Sequence, residues 1–185
     1  MSITPAPNLE TERFILRSFN ASDFEPIAAF FAIKERSWGF GGPKNRNDAW
    51  RWFAAAIGQW HLQGKGYWAI EDKTTGAALG MTGIWDPEGW PEPELGWVAF
   101  EGAEGKGVMA EAATAARLHA YTAWGMGPLC SLIFPGNTRS IRLAERLGAT
   151  HERDVETPTH GREHLYRHPA LQDLLVPASS EAVGH

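Results

Sequence analysis

The 185-residue sequence holds a single cysteine, Cys130, so no internal disulfide can form, and no His/Cys set has zinc-ligand spacing. A disulfide-stapled secreted scaffold is excluded, no metal is expected, and a reducing, cytoplasmic setting fits. No apolar run approaches the ~18 residues that a membrane span needs, and Met1 to Asn8 carries neither a basic nor an apolar signal region. Positive charge is also scarce: 17 Lys and Arg stand against 22 Asp and Glu, for a formal net charge of -5. The basic residues are scattered, which argues against a nucleic-acid partner, because such a surface needs a concentrated basic face to displace counterions. An anionic ligand must therefore be gripped locally. Repeats and low-complexity tracts are lacking too.

What the chain does have is aromatic bulk. Nine Trp, nine Phe and 43% hydrophobic residues in a chain of this length describe one packed globular domain. We assign that domain to residues 9–176, with a mobile N terminus at 1–8 and a flexible Ala/Ser-rich tail at 177–185. Arg13 to Phe19 reads as a strand. Ser22 and Glu25 then have the spacing of a capping box for a helix that puts Phe24, Ile27, Ala28 and Phe31 on one face. After a Gly-rich turn, Trp50, Phe53, Ile57 and Trp60 recur at helical spacing, with Asn47 or Asp48 as the cap. Tyr67 to Ile70 and Ala77 to Trp85 read as a hairpin, followed by a Pro-rich loop from Asp86 to Pro93. Trp38, Trp85 and Trp90 read as core, although loops near strand ends are where a ligand would enter.

Glu94 to Phe100 reads as a further strand. It runs into Gly102-Ala103-Glu104-Gly105-Lys106-Gly107 and then an Ala-rich helix, Val108 to Trp124. A helix start leaves backbone N–H groups unpaired at the positive end of the helix dipole, so it can hold a phosphate if nothing bulky intervenes. Gly105 and Gly107 remove the bulk and Lys106 adds a charge; the plainer reading is a tight turn that needs positive φ. Neither a Rossmann fingerprint nor a Walker loop is matched, which tells against hydride transfer and nucleotide hydrolysis. Leu129 to Phe134 is a short apolar strand, and Asn137 caps a helix carrying Ile141, Ala144 and Leu147. Strands near Ala149 to Val155 and Glu163 to His168 complete an α+β domain.

Three ordered segments carry a resemblance. Leu95-Gly96-Trp97-Val98-Ala99-Phe100 with the Gly loop and Glu111-Ala112 resembles motif A of the GNAT acetyltransferases, particularly the RimJ/RimL-like branch. Leu9-Glu10-Thr11-Glu12-Arg13-Phe14-Ile15-Leu16-Arg17 is similar to that branch's first strand, "LxTERLxLR". Asn137-Thr138-Arg139-Ser140, leading to Leu143-Ala144-Glu145-Arg146-Leu147-Gly148-Ala149, is similar to motif B, "NxxSxxxxEKxGF". The resemblance spans about residues 9–168. It implies a mixed, mostly antiparallel sheet with helices on both faces and a splayed central strand pair.

It also implies acetyl-CoA as acyl donor, an amine acceptor, direct transfer in a ternary complex, and a monomer or homodimer. By resemblance, Val98, Ala99 and Phe100 would offer backbone groups to the pantetheine arm. Amides of Gly102, Gly105, Lys106, Gly107, Val108 and Met109 would hold the pyrophosphate. Asn137 would bond the pantetheine or order its loop, Ser140 would lie near the thioester sulfur, and Arg142 would approach the adenosine end. Glu94 holds the position of the water-mediated base of many relatives; the plainer reading is a solvated strand end beside Glu92. Ser140 is open in the same way, since it also closes the helix cap. Two departures stand out. Gly102 replaces a frequent Arg or Gln, and Ala144 replaces the Tyr that many relatives use as thiolate acid, leaving Ser140 as the nearest substitute. Cys130 reads as a buried small hydrophobe and His61, His119 and His164 as surface or packing residues. An acyl-CoA sensor that binds without turnover is the competing reading.

Overall fold

The computed structural model describes residues 6–157 and 160–175. Eight strands form one sheet in the order β1-β2-β3-β4-β5-β6-β8-β7. They are β1 (Leu9–Glu10), β2 (Phe14–Arg17), β3 (Tyr67–Asp72), β4 (Ala78–Trp85), β5 (Glu94–Ala99), β6 (Cys130–Ile133), β7 (Thr150–Thr157) and β8 (Gly161–Arg167). Every neighbouring pair is antiparallel except β5 with β6. Among the described residues six α-helices accompany them: α1 (Phe24–Ala32), α2 (Lys34–Ser37), α3 (Arg46–Gln63), α4 (Val108–Ala123), α5 (Thr138–Arg146) and α6 (Leu171–Leu175). The helices cover both faces, as the family resemblance implies. Among the described residues no helix is long and apolar enough to cross a membrane.

Strand alternation explains the two largest apolar clusters. Phe14, Leu16, Trp68, Ile70, Ile84 and Leu95 point to the face covered by the Ala-rich side of α4, where small residues let helix and sheet approach closely. Tyr67, Met81, Val98 and Phe100 point the other way, against Phe24, Ile27 and Phe31 of α1 and Phe53 of α3. The expected α1 face is therefore core.

Local details differ from expectation where a polar side chain found a better partner. The opening run is a hairpin of β1 and β2, with Leu9 paired to Leu16, rather than one strand. The capping box ahead of α1 is built by Asn20 and Asp23, not Ser22 and Glu25. Asn20 Oδ1 accepts the Ser22 N–H at 2.9 Å and Asp23 Oδ2 accepts the Asn20 N–H at 2.7 Å, around a 3-10 turn at Ala21–Asp23. Glu25 instead pairs with Arg46. Asn45, not Asn47 or Asp48, caps α3 by accepting the Asp48 N–H at 2.9 Å, a bond typically worth about 1 kcal/mol. Trp50 is 53% exposed, and Ala49, Ala56 and Gln59 join Phe53 and Trp60 on the buried face. At the N terminus, Ala6 is buried and the Pro7 carbonyl accepts the Trp68 indole N–H at 2.8 Å, so the chain is anchored from residue 6. The tail at 177–185 and residues 1–5 lie outside the described residues.

Candidate active site

The site begins where strand pairing stops. β5 and β6 run parallel, and their register contains one pair, Glu94 with Cys130. Beyond it the strands part as a fork. On its other edge β5 stays zipped to β4 from Glu94–Trp85 to Ala99–Gly80, and the Phe100 N–H extends that ladder to the Leu79 carbonyl at 2.9 Å. Antiparallel bonding alternates, so Val98 and Phe100 spend their backbone groups on β4, while Trp97 and Ala99 turn theirs to the fork. Of the expected trio of free backbones, Val98 and Phe100 are paired to β4 and only Ala99 faces the fork, beside Trp97, with its carbonyl accepting from Arg36 Nη2 at 3.2 Å.

A cleft of about 800 Å³ opens along the fork between β5, the start of α4 and α5, and the segment from Arg36 to Phe40 closes its other side. Val98, Ala99, Gly105, Gly107, Val108, Met109, Asn137, Ser140 and Arg142 line it, whereas Phe100, Gly102 and Lys106 do not. Phe100 is buried in the α1/α3 core. Lys106 gives its carbonyl to Arg13 Nη1 at 3.0 Å.

The α4 end is a backbone surface. Gly105 and Gly107 both hold φ of +74°, a left-handed conformation that side-chain-bearing residues rarely adopt. Gly107 is the N-cap and supplies no capping side chain, and the first backbone bond of the turn runs from the Glu111 N–H to the Gly107 carbonyl at 3.2 Å. The Val108, Met109 and Ala110 N–H groups precede that bond and emerge at the positive end of the helix. Two clamps brace the loop. Glu111 accepts from Thr11 Oγ1 at 2.6 Å, the Arg13 N–H at 2.9 Å and Arg13 Nε at 2.7 Å. On the cleft side, Arg36 pairs with Glu104 at 2.5 Å and donates to the Ala99 carbonyl at 3.2 Å. Arg139, Arg142 and Arg146 also line the cleft from α5, so a chain of negative net charge concentrates cations at this wall.

The root of the fork is built from side chains. A groove of about 30 Å³ there is lined by Glu94, Gly96, Ser131 and Ile133, and shares Gly39, Phe40, Trp97, Asn137 and Ser140 with the main cleft. Glu94 Oε2 accepts the Trp90 indole N–H at 3.0 Å, and Oε1 accepts the Leu132 N–H at 3.2 Å. Burial and the neighbouring Glu163 carboxylate push Glu94 up to about 8, against these two hydrogen bonds. The solvated strand-end reading is therefore set aside. Two other carboxylates of this region are committed elsewhere, Glu92 to Arg167 at 2.7 Å and Arg153 at 2.6 Å and Asp86 to Lys65 at 2.5 Å, whereas Glu163 is 3% exposed and its Oε2 has no hydrogen-bond partner among the described residues. Beneath Gly96 lies the Tyr67 hydroxyl, only 1.8 Å from where a Cβ at that position would sit, which is why β5 carries glycine there.

Asn137 Oδ1 accepts the Ser140 N–H at 3.3 Å, so the cap reading of Ser140 holds while the residue also faces both spaces. Ala144, where many relatives have Tyr, is fully buried beside Ile133 and Tyr166; Leu143 faces the cleft instead. Cys130 is buried and burial pushes its thiol upward. His119 packs edge-on against Trp124 at 4.9 Å. His164 is not isolated: its Nδ1 lies 2.6 Å from Asp154, which also contacts His151 at 3.1 Å. Trp38 is 40% exposed and lines the cleft, so it is not core.

Sequence reasoning missed Arg36, Trp38, Tyr67, Arg139 and Arg146. The three arginines of α5 stand at i, i+3 and i+7, a one-face spacing that was available. Arg36 gave no local signal, because its partner Ala99 is 63 residues away.

Comparison with known proteins places this geometry. Residues 13–150 match the family model described as an acetyltransferase (GNAT) domain. The uncharacterized protein YkkB of Bacillus subtilis is 31% identical over 123 residues, which is 63% of this chain and 69% of YkkB. An acetyltransferase structure from Agrobacterium tumefaciens aligns at 36% identity and TM-score 0.82, covering 88% of this chain and 94% of that one. RimL, an acetyltransferase of ribosomal protein L7/L12, shares the fold at TM-score 0.70 and 14% identity over 90% of this chain and 94% of its own.

Proposed function

Because the chain belongs to the GNAT acetyltransferase family, we propose that it moves the acetyl group of acetyl-CoA to a primary amine by direct transfer in a ternary complex. The observation that carries this reading is the fork between β5 and β6, which opens into a cleft of about 800 Å³ ending at the uncapped start of α4. An extended thioester arm fits such a fork as an added strand, pairing with the backbone of Trp97 and Ala99. The pyrophosphate goes to the amides of Val108, Met109 and Ala110. Arg142, with Arg139 and Arg146 beside it, takes the phosphate-bearing adenosine end.

At the root, the amine nitrogen attacks the thioester carbonyl, the new C–N bond forms, and the C–S bond breaks. Glu94 accepts the ammonium proton through a water, the second nitrogen proton, released as the C–N bond forms, passes to the departing thiolate to give free coenzyme A thiol, and Ser140 stands near that sulfur as hydrogen-bond donor. Cys130 is unsuited to a covalent intermediate, since a buried thiol whose pKa is raised is not a nucleophile at neutral pH. The acceptor is a protein N-terminus or a small-molecule amine, and the acidic net charge favours a cationic one.

The test is a thiol-release screen with acetyl-CoA against peptides, polyamines, amino acids and aminoglycosides. Thiol release that requires both acetyl-CoA and an amine is expected. Tight coenzyme A binding with no amine-dependent release would instead assign the chain as a non-catalytic acyl-CoA sensor.

A further inference from the structure

The fork opens where a ladder bond is replaced. With Glu94 opposite Cys130 in a parallel register, and the Cys130 N–H directed at the Pro93 carbonyl at 3.5 Å, the next rung would join the Leu132 N–H to the Leu95 carbonyl. That rung is split between two side chains. Its donor goes to Glu94 Oε1 at 3.2 Å, and its acceptor receives the Ser131 hydroxyl at 2.6 Å. Glu94 pairs with Cys130 and shares its face of the sheet, while Ser131, one residue on, lies on the opposite face. The rung is thus displaced from both sides.

Ser131 does not act alone. It is 1% exposed, and its Oγ lies 2.9 Å from His168 Nε2, whose ring partner Nδ1 lies 3.1 Å from Arg117 Nη1. The direction of every proton in this chain is fixed by its first member. A guanidinium only donates, so His168 Nδ1 accepts, His168 Nε2–H donates to Ser131, and the Ser131 proton is left for the Leu95 carbonyl. Burial, with Arg117 and Arg167 nearby, pushes His168 down to about 3, so the ring is neutral as this order requires. Arg117 is 4% exposed, and its Nη1 also donates to the Leu147 carbonyl at 2.6 Å. A buried cation is expensive to keep, and an apolar side chain in α4 would pack against the sheet at lower cost.

We propose that Glu94 and the Ser131–His168–Arg117 chain form a two-sided wedge that stops β5 and β6 from zipping past Glu94, which makes Ser131 a positioning residue for the acyl end of the coenzyme. The positioning role rests on the reading of the fork as the thioester slot; the wedge itself does not. One zipping step would bring Leu132 N to Leu95 O, narrow the root groove that both strands line, and release Glu94 Oε1 from its backbone donor.

Ser131→Ala deletes the hydroxyl while keeping a small residue, so folding is preserved. Its crystal structure is expected to show Leu132 N within hydrogen-bond distance of Leu95 O. Coenzyme A titrated by calorimetry should bind about tenfold more weakly, the equivalent of one hydrogen bond. The KM for acetyl-CoA should rise with it while the KM for the acceptor stays put, a split that general loosening of the fold would not produce. Arg117→Met, which neutralises the far end of the chain, should move affinity in the same direction by about threefold. A Ser131→Ala structure with the fork unchanged overturns the wedge, and unchanged coenzyme A affinity overturns the positioning role. Absence of amine-dependent thiol release in the wild type would count against the enzymatic reading alone, because the crystal and calorimetric results stand without turnover.

Discussion

At the α4 end of the cleft, Gly105 and Gly107 hold φ of +74° and lead into the N–H groups of the first turn, where no side chain caps the helix. At the fork root, Glu94, Ser131 and Ser140 present carboxyl and hydroxyl groups, with His168 and Arg117 fixed behind them. Backbone groups cannot be deleted by mutation, but they can be misdirected by a change of φ. Side-chain groups can be removed one atom at a time with the backbone left in place. The first end therefore suits holding a constant part of a ligand, and the second suits proton transfer, where ionisation must be tuned. The two ends should fail in different ways.

The largest effect is expected at the root. Glu94→Gln keeps the shape and deletes the basicity; its one acceptor oxygen can keep the Leu132 N–H while the Trp90 N–H loses its partner, and the amine-dependent rate should fall by ~100- to 10,000-fold. Acetyl-CoA affinity, measured separately by calorimetry, should hold. Loss of affinity in Glu94→Gln would merge the two ends into one. Gly107→Val comes next, and it should show the opposite pattern. A Cβ there would stand 3.4 Å from Arg13 Nη2, so the cost arises from the left-handed φ rather than from lack of room. Coenzyme A affinity should fall by roughly tenfold or more, with the rate at saturating acetyl-CoA retained; wild-type affinity would remove the loop from the site. The smallest effect belongs to Cys130, beside Glu94 in the register but outside the chemistry. Cys130→Ala should keep activity within about twofold and cost about 1 kcal/mol of stability, checked by steady-state kinetics and denaturant unfolding. A trapped acetyl-Cys130 would contradict direct transfer.

The same contrast explains what was legible in the sequence. The backbone end is written locally: strand, Gly loop and Ala-rich helix are adjacent, and Gly105 and Gly107 stood out from spacing alone. The root is assembled across the sheet. Ser131 and His168 meet over 37 residues and Arg117 and His168 over 51, and no local pattern announces such contacts. Strand phase was the other blind spot. Val98, Ala99 and Phe100 looked equivalent as a run, but the ladder to β4 takes alternate residues and leaves Trp97 and Ala99 for the fork. Helix caps were misplaced by a few residues for a similar reason: Asp23 is buried beside Arg17 at 2.8 Å, a partner that spacing cannot reveal.

The division of labour is tested most directly by measuring acetyl-CoA affinity and amine-dependent rate over the same pH range, in wild type and Glu94→Gln. Glu94 sits at about 8 because burial and Glu163 disfavour its charge, so it is protonated and idle below that value and ionised and active above it. The wild-type rate should rise through about pH 8, while affinity, held by backbone amides, stays flat. Any rise that remains in Glu94→Gln reports the ionisation of the amine itself, so the difference between the two profiles isolates the carboxylate. A wild-type limb near 8 that disappears in Glu94→Gln is the predicted result. Identical profiles for the two proteins, or an affinity that falls in step with the rate, would contradict the account.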